Sequence, residues 1–286
     1  MIYLILSIIS SSFIYITFKL LNKFKLELLP VIVANYITAA IIGYLFREKD
    51  FSVQEILAAD WIYPSIIIGI LFVAMFYFIG IATQKAGITV TSISTKMSVI
   101  FPILFSIFYY SESIYLLKVI GMLVALVAIV LSSIKGKTEN GNLKNFIFPI
   151  GLFLGMGLID SFVKFNQEEF LKDTGALEST TVTFAVSAII SLSIYLVLYI
   201  KNKNKFNLNS LLFGIFLGVV NFCSLFFLIL ALNTNFLDSS VVFAVNNSAI
   251  IMISVLVGRF FFKEELILLN WIGVVLSMIA IIALSF

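Results

Sequence analysis

The sequence predicts an all-α integral membrane protein of ten transmembrane helices, built as two inverted five-helix repeats around a central cavity. Three observations predict it: an apolar composition, ten long runs almost free of charge, and an internal similarity at a fixed offset. Of the 286 residues, 62% are hydrophobic and 12% are charged, against roughly 45–50% and about 25% in an average soluble domain. Mean hydropathy is +1.15. A soluble fold has to spread charge over its exterior, and this chain has too little to do so. His is absent and Cys occurs once, at Cys223. That excludes disulfide frameworks, Cys/His zinc sites and His-dependent catalytic triads. No metal site and no cofactor is expected. The formal net charge is +3 and there is no basic tail, so nucleic acid is not an expected partner; the lipid bilayer is.

A helix needs about 20 apolar residues to cross roughly 30 Å of hydrocarbon. Runs bounded by charged residues give spans at 1–18, 28–46, 61–84, 86–111, 113–134, 145–159, 179–200, 206–237, 239–258 and 266–286. The second is entered through Pro30, the fourth is interrupted by Lys96, and the sixth is expected to continue through Asp160 toward Lys164. These runs are continuous rather than alternating, which excludes a β-barrel. The first run lacks a charged n-region, and Lys19, Lys23 and Lys25 follow it instead, so it reads as a retained helix rather than a signal peptide. The short loops leave no room for a soluble domain.

The internal similarity is carried by polar punctuation as well as by apolar residues. At an offset of 152, Glu112 aligns with Glu264, Leu116 with Leu268, Leu117 with Leu269, Ile120 with Ile272 and Gly121 with Gly273, and further on Ala128 with Ala280 and Ile129 with Ile281. The polar segment around 135–142 separates the copies, giving a first repeat at 1–136 and a second at 143–286. Five helices per copy is an odd number, which forces the copies into opposite orientations. Inverted-topology repeats place a substrate site near the membrane midplane between the halves.

Two five-helix repeats, each closing with an apolar helix, a short Glu-containing turn and a Gly-bearing last helix, resemble the drug/metabolite transporter superfamily and within it the ten-helix EamA-like family. The resemblance spans the whole chain. It implies a cavity lined by the first four helices of each half, with the fifth and tenth helices peripheral. It also implies both termini on the inner face. The charge count points the other way. The loops after spans one, three, five, seven and nine hold twelve Lys and Arg, and those after spans two, four, six and eight hold five, which by the positive-inside rule puts the termini outside.

The candidate substrate-binding residues are Lys96, Ser94, Asn35, Tyr36, Tyr77, Asn221, Asn246 and Asn247. Lys96 is the sharpest of them. An ammonium at membrane depth costs about 2.5–3.5 kcal/mol, so it must face a wet cavity, find a partner or snorkel to an interface. As a cation it suits a carboxylate or phosphate. Asn246 and Asn247 in the ninth span offer donors and acceptors suited to zwitterionic or polyhydroxylated solutes, or else bond between helices. Asn35, Tyr36, Tyr77 and Asn221 are weaker members of the set. Asp160 is a carboxylate within membrane depth, which makes it the candidate for proton or cation coupling and for partnering Lys96. Lys164 follows it at i+4 on the same face, a spacing that also suits a local interfacial pair.

These features point to a secondary-active transporter, an exporter of a small polar metabolite such as an amino acid, in the bacterial cytoplasmic membrane. The alternatives are an organophosphate or nucleotide-sugar exchanger and, in another class, an intramembrane lipid-modifying enzyme. Phosphate recognition usually gathers several Lys or Arg, and the absence of His and of clustered carboxylates leaves little for acid–base or metal chemistry.

Overall fold

The computed structural model of the protein describes residues 1–46, 53–111, 115–134, 146–171, 175–202, 207–233 and 239–284. Among them the chain is helical and no strand occurs. The helices are α1 (Ile2–Lys23), α2 (Leu28–Leu45), α3 (Val53–Ala58), α4 (Ile62–Lys85), α5 (Ile88–Met97), α6 (Ile100–Tyr109), α7 (Leu116–Ser133), α8 (Ile147–Phe170), α9 (Ala176–Asn202), α10 (Leu208–Asn233), α11 (Ser239–Leu256) and α12 (Leu268–Leu284). A wider π-helical turn, Val257–Phe261, extends α11. Eight stretches are long and apolar enough to cross a membrane: α1, α2, α4, Ile88–Tyr109 (α5 with α6), α7, α8, and the bulk of α9 and α10. Two shorter apolar helices, Val245–Phe261 and Leu268–Leu284, stand where the ninth and tenth spans are expected. The protein is thus an all-α integral membrane protein. The expected boundary between the repeats, around 136–143, lies outside the described residues, as does Glu112 of the first repeated turn.

Several spans differ from the sequence reading at their ends, for identifiable reasons. α1 runs on to Lys23 because Phe18 and Leu21 are fully buried and hold its last turns in the core. α8 continues through Asp160 and Lys164 to Phe170. The fourth span is two helices, not one, and Pro102 is the cause. All four prolines, Pro30, Pro64, Pro102 and Pro149, are the third residue of a helix, where a missing N–H has no intrahelical acceptor to lose. A continuous helix would need residue 102 to donate to the Ser98 carbonyl. Proline cannot, and its ring crowds that carbonyl. The Phe101 N–H takes it instead at 2.9 Å, and the helix restarts as α6.

Packing follows small residues. α7 packs most extensively on α12; α2 lies against α9 and α10; α4 lies against α8 and α9; α1 lies against α10 and α11; and α5 contacts α7, α8 and α11. Gly121 and Gly273, equivalent at the 152 offset, both sit in the α7–α12 contact. A Cβ on Gly273 would lie 2.7 Å from the Ser132 nitrogen, and one on Gly121 would lie 3.0 Å from Leu284. In the same way a Cβ on Gly218 would lie 2.6 Å from the Asn35 carbonyl oxygen, so α10 and α2 meet backbone to backbone. The α7–α12 pair has its other main contacts with α5 and α11 and turns Leu123, Val127, Val275 and Ile279 outward. It therefore stands at one edge of the bundle, with the largely buried α5 further in.

Candidate functional site

The break in the fourth span builds the site. Thr91, Ser92, Ser94, Thr95, Lys96 and Ser98 follow one another along α5 and its end, and all but Lys96 are buried. Most hydroxyls fold back on the helix: Thr91 donates to the Gly87 carbonyl at 2.8 Å and Thr95 to the Thr91 carbonyl at 2.9 Å. Back-bonding of this kind satisfies a hydroxyl where no water is at hand. With its own proton so used, Thr95 accepts from the Tyr15 hydroxyl of α1 at 2.7 Å. The Ser94 hydroxyl is buried and has no partner among the described residues.

Asp160 comes to this stretch from α8. Its Oδ2 lies 2.7 Å from the Ser98 hydroxyl, which is also 2.6 Å from the Thr95 carbonyl oxygen. A serine has one proton to give. When Asp160 is ionised, Ser98 donates to it. When Asp160 is protonated, it can donate to Ser98, and Ser98 then donates to Thr95. Both states of the carboxyl are therefore satisfied by one rotation of a hydroxyl. Lys96 lies within electrostatic range of Asp160 without forming a direct ion pair. It is partly exposed, and its ammonium takes no hydrogen bond among the described residues. Two opposite charges and the unpartnered Ser94 hydroxyl thus meet where the helix is broken, near the middle of the spans that carry them.

The amides form a second, uncharged group. The Asn221 amide of α10 donates to Asn35 Oδ1 of α2 at 3.3 Å, leaving the Asn35 Nδ2 buried and without a partner among the described residues. Ser7 of α1 bonds both the Ser224 carbonyl at 2.8 Å and Asn246 Oδ1 of α11 at 3.2 Å. Asn247 is half-buried and makes no hydrogen bond among the described residues. These contacts join α1, α2, α10 and α11.

Three sequence candidates are placed otherwise. Tyr36 is fully buried, and its hydroxyl donates to the Phe72 carbonyl at 2.8 Å with its ring against Phe76 and Phe184. It ties α2 to α4 and offers no free polar atom. Tyr77 is 44% exposed and lines an outer recess with Leu26, Leu29, Gln84 and Tyr195, away from Lys96. Lys164 pairs with Glu168 one turn further along α8, at 3.0 Å, rather than with Asp160, because Asp160 is held inward by Ser98.

Two polar residues outside the sequence reading have structural work. Glu264, read only as the marker of the repeated turn, crosses to the other half of the chain and caps α5. Its carboxylate accepts from the Ile88 N–H at 2.7 Å, the Thr89 N–H at 3.3 Å and the Thr89 hydroxyl at 3.1 Å. Asn270, at the start of α12, gives its Nδ2 to the carbonyls of Leu131, Ser132 and Ile134 at 2.8–3.1 Å and takes the Ile267 N–H on Oδ1 at 2.9 Å. It closes the end of α7 and the start of α12 together. Asn270 carried a signal in the sequence, since an amide inside an apolar run needs a partner and exposed helix ends supply one; Glu264, in the charged turn between two runs, carried none beyond the repeat.

Comparison with known proteins agrees with this architecture. A chain from Haemophilus influenzae (strain ATCC 51907 / DSM 11121 / KW20 / Rd), described as an uncharacterized protein, is 28% identical over 294 residues, covering 99% of this chain and 97% of the relative. Residues 147–286, which run from α8 to the C-terminus, match the EamA-like transporter family. Members of that family are transporters rather than enzymes. The match bears out, over the second half of the chain, the resemblance read from the sequence, as expected of a member of the drug/metabolite transporter superfamily.

Proposed function

We propose that the protein is a secondary-active exporter of a small zwitterionic metabolite such as an amino acid, working by alternating access in a bacterial cytoplasmic membrane. The observation that carries this reading is that Asp160 Oδ2 lies 2.7 Å from the hydroxyl of Ser98, two residues along the chain from Lys96, which brings two opposite charges to one break in a membrane-spanning segment. Burying either charge without compensation is costly. A zwitterion satisfies both at once, with its carboxylate on Lys96 and its ammonium toward Asp160. Ser94 adds a hydroxyl on the same helix. The amides of Asn35, Asn221, Asn246 and Asn247 form an uncharged wall contributed largely by the second half. A proton or cation exchanges at Asp160 through Ser98, and Lys164, engaged by Glu168, stands outside that step.

The two-repeat organisation, 1–136 and 143–286 in opposite orientations, is supported by three features. Ser111 and Lys263, equivalent at the 152 offset, both adopt φ +56. Gly121 and Gly273 each lie against the other's helix in the α7–α12 packing, Gly121 on Leu284 and Gly273 on Ser132. The family match covers the second half as a unit. The fourth and ninth spans are both irregular, the former broken between α5 and α6 and the latter ending in a π turn at Val257–Phe261, and discontinuous helices at the repeat interface are where such transporters bind substrate.

The test is a thermal-shift screen on the purified protein with amino acids, nucleosides and organic phosphates. The reading expects stabilisation by one or more amino acids, lost in Lys96→Met. Stabilisation by phosphate esters alone would replace it with the organophosphate exchanger.

A further inference from the structure

Where α1 and α4 end and α5 begins, a charged junction ties four elements together, and it belongs to no part of the substrate site. The Lys19 ammonium of α1 lies 3.1 Å from Glu264 Oε1, and the two side chains are 18% and 12% exposed. Lys19 also donates to the Thr83 carbonyl near the end of α4 at 3.3 Å. Glu264 caps the start of α5 as described above, and its own N–H donates to the Gly258 carbonyl at 2.8 Å in the π turn after α11. Arg259 reaches the Glu264 carbonyl at 3.2 Å. The seat for the carboxylate is made by two glycines. A Cβ on Gly87 would lie 2.7 Å from Oε1 and one on Gly258 2.7 Å from Oε2. Gly87 has φ +100, a conformation that side-chain-bearing residues rarely adopt.

One carboxylate from the second half therefore holds the first turn of α5, the helix that carries Lys96, and the end of α1, which lies between the halves. The N-cap residue of α5 is Gly87, which has no side chain to cap with. The orphan N–H groups depend on Glu264 coming from elsewhere in the chain. We propose that the Lys19–Glu264 ion pair, seated on the start of α5, is the closed gate on this face of the protein. Opening this face separates α1 from the turn after α11 and breaks the pair. Because Glu264 also positions α5, the state of the gate is coupled to the placement of Lys96, 7 residues beyond the second capped N–H. A gate must close firmly and still release. An ion pair with one solvated edge meets both needs, whereas a fully buried pair would be difficult to break.

This inference rests on the transport reading, and its test reads conformation without substrate, so the two can fail separately. In a Cys223→Ser background, Ser94→Cys places a single thiol on the buried middle of α5. An impermeant maleimide is applied to oriented vesicles from each face in turn, and the ratio of the two labelling rates is the readout. Lys19→Met removes the ion pair and leaves the α5 cap intact. It is expected to raise the ratio in favour of the gate face by about tenfold, the shift produced when a charge-assisted contact made in only one of two states is lost. Glu264→Gln is expected to move it in the same direction. A purely structural role would lower thermal stability and leave the ratio unchanged. An unchanged ratio in Lys19→Met overturns the proposal whatever Glu264→Gln does. A Lys19→Met protein that does not fold overturns it as well, since a contact that breaks in every cycle cannot be one on which folding depends.

Discussion

At the scale of the residue, the two intramembrane charges do different work and can be separated. Lys96→Met keeps the length of the stem and removes the charge. Loss of one charge-assisted contact is worth about 1.5–3 kcal/mol, so substrate affinity and transport are expected to fall by roughly ten- to a hundredfold, checked by uptake into proteoliposomes. Since Lys96 makes no direct ion pair with Asp160, folding should be retained, and size-exclusion chromatography checks that. Asp160→Asn keeps a partner for Ser98 but cannot exchange a proton. Because it also removes the charge that faces the substrate ammonium, substrate affinity is expected to fall; at saturating substrate, exchange across the membrane is expected to remain while uptake driven by a pH gradient disappears, and retention of gradient-driven uptake would remove Asp160 from the coupling step. Both residues were legible in the sequence because an ionisable side chain in a long apolar run has few places to go. Tyr36 and Tyr77 show the limit of that reasoning. Sequence position gives their depth but not their direction, and Tyr36 turns into the α2–α4 contact while Tyr77 turns outward.

At the scale of the element, breaks and caps decide how the site is held. Pro102→Ala restores a donor for the Ser98 carbonyl and should let α5 and α6 run as one helix. The expected outcome is a protein of equal or greater thermal stability with reduced transport, because straightening the helix moves Ser98 away from Asp160. Unchanged transport would show that the break is incidental. Asn270→Ala strips the carbonyl contacts at the end of α7 and the cap at Ile267 N–H. Removing hydrogen bonds to buried groups costs about 1–3 kcal/mol, so the unfolding temperature in detergent should fall clearly while substrate affinity is unchanged. The positions of the spans could be read from hydropathy because the bilayer dictates their length. The break at Ser98 was less legible, although Pro102 stood four residues on, since a proline inside an apolar run can also be absorbed as a kink. The role of Glu264 was not legible, because a trans cap is a contact over 176 residues between Ile88 and Glu264 and leaves no local pattern.

At the scale of the whole molecule, α7 and α12 form one edge of the bundle, and the hydroxyl-bearing α5 lies inside it. Val127→Cys, on the outer face of α7, should be inert to aqueous thiol reagents, whereas clear labelling would put that helix on the water path. The repeat could be read from seven identities at one offset, and the equivalent turns at Ser111 and Lys263 agree with it. The closure of one face by Lys19 and Glu264 could not, because it depends on how the halves are docked. The account stands or falls on whether Lys96 and Asp160 hold the substrate between them. The most direct measurement is binding of a radiolabelled amino acid, chosen by the thermal-shift screen, to purified wild type, Lys96→Met, Asp160→Asn and the double variant. The account predicts that its carboxylate-blocked ester loses most of its affinity for wild type but little further in Lys96→Met, and that the amine-blocked analogue behaves in the same way toward Asp160→Asn. Equal binding of the free amino acid to wild type and Lys96→Met would contradict it.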